Sequence, residues 1–347
     1  MANTVPDITN ITGLRYIGGN PYRPVYLLTL GGAAQIVVKG EKSQHASASA
    51  SIKWGSKLMK NAGHSEQVNV KILSQAEIQQ FAVAGRRLLP NDRDFPTYIE
   101  FGAMIVWTKM PFIAGLSDSD VYGKGAAATD AVYDKLRKAD FWDGLGRILA
   151  VDIFVGNFDR FDADGDFVNK GNLFFRDLGH GKAQVIGLDF FSARDVSSGE
   201  SDLLLPADGM YNHLQILRDE NARQAYATNV MRGIQASLLR ENPQGGYNLF
   251  ERDTYLTLLN SGIRAGANEL RTYLTGKIAT YAAANPRPRI GANRGAVPLA
   301  AAPAALPAAG GWRRATPAAA NNNTREVQQN VVPAGIKARM RYLGWIP

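Results

Sequence analysis

Asp159, Asn172 and Asp189 are the residues of this 347-residue chain whose types and spacing best suit catalysis. Asn172 opens the apolar run NLFFRD, Asp189 follows the run AQVIGL, and LGHG joins the two runs as a hairpin turn would. A hairpin brings its open ends together, so we expect Asn172 and Asp189 to meet near the loop that carries Asp159. Carboxylate and amide oxygens are the ligands that Mg²⁺ and Mn²⁺ prefer. Turn formation would explain any one of these residues, but not all three together.

The loop follows an amphipathic helix that is predicted to run from Asp140 to Val155. Asp152 shares the apolar face of this helix with Leu145, Ile148, Leu149 and Ile153, by the three- and four-residue spacing. A carboxylate buried without a partner costs several kcal/mol. We therefore expect Arg160 to pair with Asp152 or a neighbouring carboxylate and hold the loop rigid. Asn157 is expected to adopt the awkward backbone conformation after Gly156.

The elements that must position this loop follow in a simple order. The patterns predict strands in YRPVYLLTL and AQIVVKG, a helix from Gln44 to Asn61, a strand in QVNVKIL, a helix from Gln75 to Leu88, one or two strands in YIEFGAMIVWTKMPFI, helices from Thr129 and Asp140, a strand pair in 172–189, and mostly helices to Ala284. A β-rich half followed by a helical half predicts an α+β chain in two lobes.

The excess of basic residues lies at the C-terminal end of the chain. The net charge is +8, from 39 basic and 31 acidic residues, but residues 286–347 hold nine of the basic residues and one acid. The body is therefore neutral, which argues against a nucleic-acid-binding face. The tail is rich in Ala and Pro without periodicity, so we expect a disordered basic segment whose removal leaves the body folded. Its end, VVPAGIKARMRYLGWIP, regains aromatic residues and could dock, or could anchor a partner or membrane surface.

The sequence lacks the motifs that mark several other classes of enzyme and targeting segment. The sequence contains no cysteine and no Gly-x-Ser-x-Gly, His-Glu-x-x-His or Walker motif. The N-terminus has no signal-peptide pattern, and no run approaches the length of a membrane span. We expect a cytoplasmic protein, or one delivered to a host cell.

The run LAVDIFVGNFDRF, followed by GNLFF and VIGLDFF, resembles the catalytic core of atypical kinases. These are the kinases related to phosphatidylinositol 3/4-kinases, to secretory-pathway protein kinases and to bacterial toxin kinases. The resemblance covers about 40 residues closely. It implies that Asp159 is the catalytic Asp and that Asn172 and Asp189 bind metal. Asp152 matches the supporting Asp of the helix, and Arg160 follows the catalytic Asp as in the family pattern.

The resemblance also gives the N-terminal half a role. It implies a protein-kinase-like fold with an N-lobe in 1–112, a C-lobe in 113–285 and the tail in 286–347. Lys39 matches the lysine that grips the phosphates of ATP. The run WTKMPFIAG matches the interlobe hinge, whose backbone around Lys109, Met110 and Phe112 would receive adenine. YIGGNP could form a phosphate-facing turn, although a plain turn explains it better.

Three departures from the family pattern leave alternatives open. Phe161 stands where the family usually has His, and the interval from Asp159 to Asn172 is long. The helix after Lys39 contains no acid, which leaves Glu66 and Glu77 as distant candidate partners.

We therefore expect an ATP-dependent kinase using Mg²⁺ or Mn²⁺. A protein Ser/Thr acceptor is favoured over a phosphoinositide and a small molecule. A pseudokinase or adaptor is the alternative from another class. A calcium loop at Asp162, Asp164 and Asp166 fits poorly, since its glycine comes early and its twelfth residue is leucine.

Overall fold

The computed structural model describes residues 5–20, 23–42, 48–62, 70–92, 94–95, 105–112, 116–117, 125–158, 160–167, 173–180, 182–187, 211–284, 332 and 334–347. Within these ranges the chain is a mixed α/β structure, with an antiparallel sheet near the N-terminus and helices near the C-terminus. Asp159, Asn172, Asp189 and Glu66 lie outside them.

The N-terminal sheet has five strands: β1 (Ile11–Asn20), β2 (Arg23–Leu30), β3 (Gln35–Lys42), β4 (Lys71–Ile72) and β5 (Ile105–Pro111). Their spatial order is β1-β2-β3-β5-β4, and every neighbouring pair is antiparallel. The strands predicted in YRPVYLLTL and AQIVVKG are confirmed as β2 and β3. The turn expected in YIGGNP does not begin at Tyr16, because residues from Tyr16 to Asn20 pair with β2.

Two helices accompany the sheet, α1 (Ala48–Asn61) and α2 (Gln75–Leu88). The second begins with a capping box, in which Ser74 and Glu77 satisfy each other's backbone amides. Its buried side, with Phe81, packs on Tyr26, Val38 and Trp107 of the sheet. These residues, with Ile8, Ile11, Leu28, Leu30, Ile36, Leu73, Ala84 and Phe95, form what is called here the N-terminal cluster.

The remaining helices are α3 (Ala126–Leu136), α4 (Ala139–Val155), α5 (Gln215–Arg218), α6 (Glu220–Glu241), α7 (Asp253–Ala284) and α8 (Ala334–Tyr342). A second antiparallel sheet, β6 (Leu116–Ser117), β7 (Leu173–Gly179) and β8 (Lys182–Gly187), lies among them. The predicted hairpin in 172–189 is thus confirmed as β7 and β8. These elements share a second core, the helical cluster, which is centred on α4 and also includes Trp54 and Leu58 of α1.

The backbones of α4 and α7 touch at three glycines. A methyl group on Gly146 would lie 2.4 Å from the Leu259 carbonyl oxygen, and one on Gly262 would lie 2.5 Å from the Asp143 carbonyl oxygen. One on Gly266 would lie 2.8 Å from the Ala150 side chain. Only hydrogen fits at these positions, so α4 rests directly on α7.

The C-terminal residues correct the expectation of a wholly disordered tail. Ile336 and Met340 of α8 are completely buried in the helical cluster, and Trp345 stacks on Phe154 of α4 with a centroid distance of 5.4 Å. Residues 334–347 therefore belong to the folded body, and a chain ending at residue 285 would lose part of its core. The Pro/Ala-rich stretch before residue 332 lies outside the described residues.

Candidate functional site

The loop after α4 is held by a buried ion pair between Asp152 and Arg160. Nε of Arg160 donates to Oδ2 of Asp152 at 2.8 Å, and Nη2 donates to Oδ1 at 2.9 Å. The Arg160 side chain has no exposed surface, and that of Asp152 is 4% exposed. This two-point geometry is the strongest form of an arginine–carboxylate contact. The predicted pairing of Asp152 with Arg160 is confirmed.

Asn157 contributes to the same arrangement, but not in the way its sequence position suggested. Its side-chain amide donates to Oδ1 of Asp152 at 2.9 Å, and its backbone amide donates to the Asp152 carbonyl at 2.8 Å. The left-handed conformation belongs to Gly156, with φ of 73°, and Asn157 has no positive φ. Glycine takes this conformation without steric cost, so the Asn157 side chain is free to bind Asp152.

The end of β8 lies against the Arg160 guanidinium. A methyl group on Gly187 would come within 3.2 Å of Cζ and Nη2 of Arg160 and within 3.0 Å of Ile148. Gly187 is also the strand partner of Leu173, the first residue of β7. The open end of the hairpin, the Arg160 side chain and helix α4 therefore meet at one point.

The predicted catalytic Asp159 and the predicted metal ligands Asn172 and Asp189 lie outside the described residues. Each is close in sequence to a residue of this meeting point: Asp159 precedes Arg160, Asn172 precedes Leu173, and Asp189 is two residues beyond Gly187. Among the residues that the structure does describe, no group of three or more acids and histidines is placed to hold a metal ion. The metal assignment remains a prediction.

The acidic insertion after Phe161 folds back on itself. The aromatic rings of Phe161 and Phe167 stack with a centroid distance of 4.7 Å, and these two residues form an isolated antiparallel bridge. Within the loop, Oδ1 of Asp162 accepts the backbone amides of Asp164 at 3.0 Å and of Asp166 at 2.8 Å. The Asp162 carboxylate thus closes its own turn. Phe161, at the position usually held by His, packs as a buried apolar residue.

Lys39 lies in β3, half-buried, between Val25 of β2 and Thr108 of β5. Successive side chains alternate between the two faces of a sheet. Val38 faces the N-terminal cluster, so Lys39 lies on the opposite face together with Met110. Met110 packs against the helical cluster. The face that carries Lys39 is therefore the one nearer to the helical cluster.

The acid proposed for Lys39 has a different partner. Glu77 contacts the Lys109 ammonium, which also lies 2.9 Å from the Pro6 carbonyl oxygen and 3.2 Å from Oδ1 of Asp7. Burial alone would raise the pKa of Glu77, but the hydrogen bonds from Lys109 and from the amides of Ser74 and Ile8 lower it to about 2. Glu77 as a partner of Lys39 is wrong for this structure.

Of the predicted hinge residues, Lys109 and Met110 lie in β5, and Phe112 follows its last residue. Their backbone groups face different edges of the strand. The Phe112 amide donates to the Gln35 carbonyl at 3.1 Å, which corrects its assignment as a free donor to adenine. Successive backbone groups also alternate, so those of Met110 point toward β3 as well. The carbonyl of Pro111 points toward the opposite edge of β5, beyond the pair of Lys71 with Lys109, the last pair with β4 among the described residues. The Lys109 side chain is buried in the N-terminal half.

Two residues near the loop were not singled out from the sequence. His213, in a short 3₁₀ helix, packs its ring edge-on against Phe158 with a centroid distance of 5.0 Å. Burial and the charge of Arg339 lower the pKa of His213 to about 4, despite its hydrogen bond to the Ile153 backbone. Tyr226 of α6 is buried nearby, and burial together with Asp152 and Asp162 raises the pKa of its phenol. Both lie far from the loop in sequence, so no local pattern indicated them.

Comparisons with known proteins add little. No protein-family model matches the chain, and no curated protein matches it. Among solved structures, the chain is similar to a pseudokinase in its apo form, at 12% sequence identity and a TM-score of 0.32. The match covers 76% of this chain and 92% of that one. A likeness this distant assigns neither a family nor an activity. None of the helices in the described ranges is long and apolar enough to cross a membrane.

Proposed function

We propose that the protein is an atypical kinase of two lobes, which transfers the γ-phosphoryl group of ATP to a hydroxyl group, most favourably that of a protein Ser or Thr. In this proposal Asp159 orients the acceptor hydroxyl and receives its proton. The acceptor oxygen bonds to the γ-phosphorus as the bond from that phosphorus to the β–γ bridging oxygen breaks, and ADP leaves. Catalysis of this kind depends mainly on positioning and charge stabilisation.

The Asp152–Arg160 pair is the observation that supports this proposal most. A simple turn after a helix needs one glycine or asparagine, whereas this loop takes two charges out of water and binds one carboxylate three times. Burying an ion pair seldom increases stability over an apolar pair. What it does provide is a fixed backbone geometry for residues 153–158. A catalytic carboxylate needs such fixation, within about 0.5 Å.

The N-terminal sheet would supply the nucleotide contacts. Lys39 and Met110 share the face of the sheet that is nearer to the helical cluster, and Met110 already contacts that cluster. ATP placed between this face and the loop would meet the Lys39 ammonium with its phosphates. The Pro111 carbonyl, which points away from β3, is the group we propose for adenine in place of the Phe112 amide.

The residues present suit Mg²⁺ or Mn²⁺. An amide oxygen and a carboxylate are hard oxygen donors, and Leu173 and Gly187, the described residues nearest to Asn172 and Asp189 in sequence, are strand partners. Asn172 and Asp189 would hold the ion. When bound, it neutralises charge on the phosphates of ATP.

The test uses the full-length protein with labelled ATP, Mg²⁺ or Mn²⁺, and a mixture of candidate protein acceptors and phosphoinositide vesicles. Asp159→Asn should lower phosphoryl transfer by about two orders of magnitude or more, the scale of a general base, while ATP binding persists. Asp189→Ala should abolish metal-dependent nucleotide binding. Asp134→Asn, which removes one charge at an exposed position of α3, is the matched control. Transfer that survives both Asp159→Asn and Asp189→Ala would exclude this site.

A pseudokinase that serves as a binding module is the second candidate. One observation favours it: Phe161, a buried apolar residue, stands where the family usually has His. A module of this kind would bind nucleotide or a partner without turnover. Wild-type protein that binds ATP with metal, but transfers no phosphate to any acceptor or water, would favour the module over the kinase.

A further inference from the structure

Helix α4 ends without a cation of its own. Its last turn contains no basic residue, although the free carbonyl groups at a helix C-terminus carry partial negative charge that a cation stabilises. Arg339 of α8 fills this position from a distance of 184 residues in sequence: its Nη2 lies 3.4 Å from the carbonyl oxygen of Val155. His213 hydrogen bonds to the Ile153 backbone in the same turn.

The Arg339 side chain is held in place on several sides. It is 5% exposed, its Nη1 donates to the Gly335 carbonyl at 3.0 Å, and its guanidinium lies 5.4 Å from the ring centre of Tyr211. A guanidinium fixed on one face by an aromatic ring has few other orientations. Arg339 therefore presents its charge to the end of α4 and not to solvent.

A second contact from the same segment reaches the same turn. Trp345 stacks on Phe154 with an interplanar angle of 5°. Phe154 and Val155 are the last two residues of α4, directly before Gly156 and the loop. The C-terminal segment, residues 334–347, thus contacts the turn from which the candidate catalytic loop departs.

We infer that Arg339 is a positioning residue for the loop that carries Asp159, acting through the end of α4. The C-terminal segment is then part of the site, and not a separate recruiting tail. The catalytic half of this inference rests on the proposed kinase function. Its structural half, that Arg339 fixes the loop, does not.

Hydrogen exchange of full-length Arg339→Gln, read on peptides covering residues 152–161, tests the structural half. The control is Arg341→Gln, which removes the same charge from the exposed side of the same helix. Arg339→Gln should speed exchange in the loop by about fivefold, as expected for a lost charge at a helix terminus. Peptides from β2 and β3 and the Arg341→Gln protein should exchange as wild type does. Arg339→Lys keeps the positive charge but loses the planar guanidinium, so its loop exchange rate should lie between those of wild type and Arg339→Gln. This variant replaces Arg339→Gln in the test if Arg339→Gln does not fold.

Phosphoryl transfer tests the catalytic half. Arg339→Gln should lower kcat while KM for ATP stays within about twofold, because the loop and not the nucleotide site is disturbed. Unchanged loop exchange, or equal effects from Arg341→Gln, would overturn the inference. Faster loop exchange with unchanged kcat would overturn the catalytic half. If wild-type protein transfers no phosphate at all, the proposed function fails while the exchange result still decides whether Arg339 holds the loop.

Discussion

Two buried ion pairs, one in each half of the molecule, are built in different ways. Lys109 meets Glu77 and Asp7 at the side of the N-terminal cluster, and Asp7 is 84% exposed. Arg160 meets Asp152 inside the helical cluster, where both side chains are almost completely shielded. The first pair joins an N-terminal segment, a helix and a strand. The second joins the end of a helix to the loop that leaves it.

The difference lies in what each cation can fix. An ammonium is a compact charge on a flexible stem and accepts several arrangements of its partners, whereas a guanidinium binds a carboxylate in one plane. The lysine pair therefore suits the closing of a fold, where small displacements are tolerated. The arginine pair suits a loop whose backbone must keep one geometry. We conclude that the first pair joins separate elements of the fold and that the second fixes the loop after α4.

Breaking the arginine pair should have the largest effect. Arg160→Met should lower the free energy of unfolding by about 3–5 kcal/mol, because it leaves the Asp152 carboxylate buried without its charge partner. Urea unfolding followed by fluorescence measures this. Arg218→Met, at an exposed position of α5, is the control and should change stability by less than about 0.5 kcal/mol.

A double substitution then separates stability from the site. Asp152→Leu combined with Arg160→Met removes both charges, and should recover much of the lost stability while the loop stays disordered by hydrogen exchange. If Arg160→Met alone costs less than about 1 kcal/mol, the pair is not the fixed element described here.

Breaking the lysine pair should cost less. Lys109→Met should lower the free energy of unfolding by about 1–3 kcal/mol, the range for a lost hydrogen bond to a charged group. Glu77 keeps its contacts with Ser74 and with the Ile8 amide at 3.1 Å, which limits the loss. Exchange should quicken in residues 75–81 and not in 152–161. Lys60→Met, on the exposed side of α1, is the control; faster exchange in both regions would mean that the two halves are not held independently.

Lowering the pH should weaken the lysine pair, and the resulting loss of stability should be the smallest of these effects. The pKa of Glu77 is lowered to about 2 in the folded protein, so its contribution is present above its unfolded pKa near 4.5 and is lost as pH falls toward 2. By about pH 3.5, roughly 1 kcal/mol of that contribution should be gone. Thermal unfolding of wild type and Glu77→Gln between pH 7 and 3 measures it. The substituted protein should show a shallower decline, and parallel curves would contradict the assignment.

The arginine pair was predictable from sequence because its signal is local. Asp152 interrupts the apolar face of its helix, and Arg160 follows eight residues later. A buried acid and its cation are therefore close to each other in sequence. The same reasoning placed β2, β3, the hairpin and α2, whose periodicity or capping residues are regular. The convergence of the hairpin end with Arg160 also followed from hairpin geometry.

Other features depend on contacts distant in sequence or on irregular backbone. The resemblance assigned Lys109 to a hinge, and its ion pair was not predicted because its partners, Asp7 and Glu77, come from separate elements. Strand β1 was missed because glycines and two register shifts interrupt its alternation. The C-terminal segment was assigned to the tail because its helix is short and basic, and only its burial against α4 reveals Ile336 as a core residue.

The glycine contact between α4 and α7 has a mechanical consequence. A roll of either helix would bring a residue larger than glycine into a contact where only hydrogen fits, and the close-packed core resists such a change. The ion pair of Arg147 with Glu269 also joins the two helices. Helix α4, which carries Asp152, is therefore expected to move together with α7 as one rigid unit. A displacement of α7 is then expected to displace the Asp152–Arg160 pair and the loop after α4 with it.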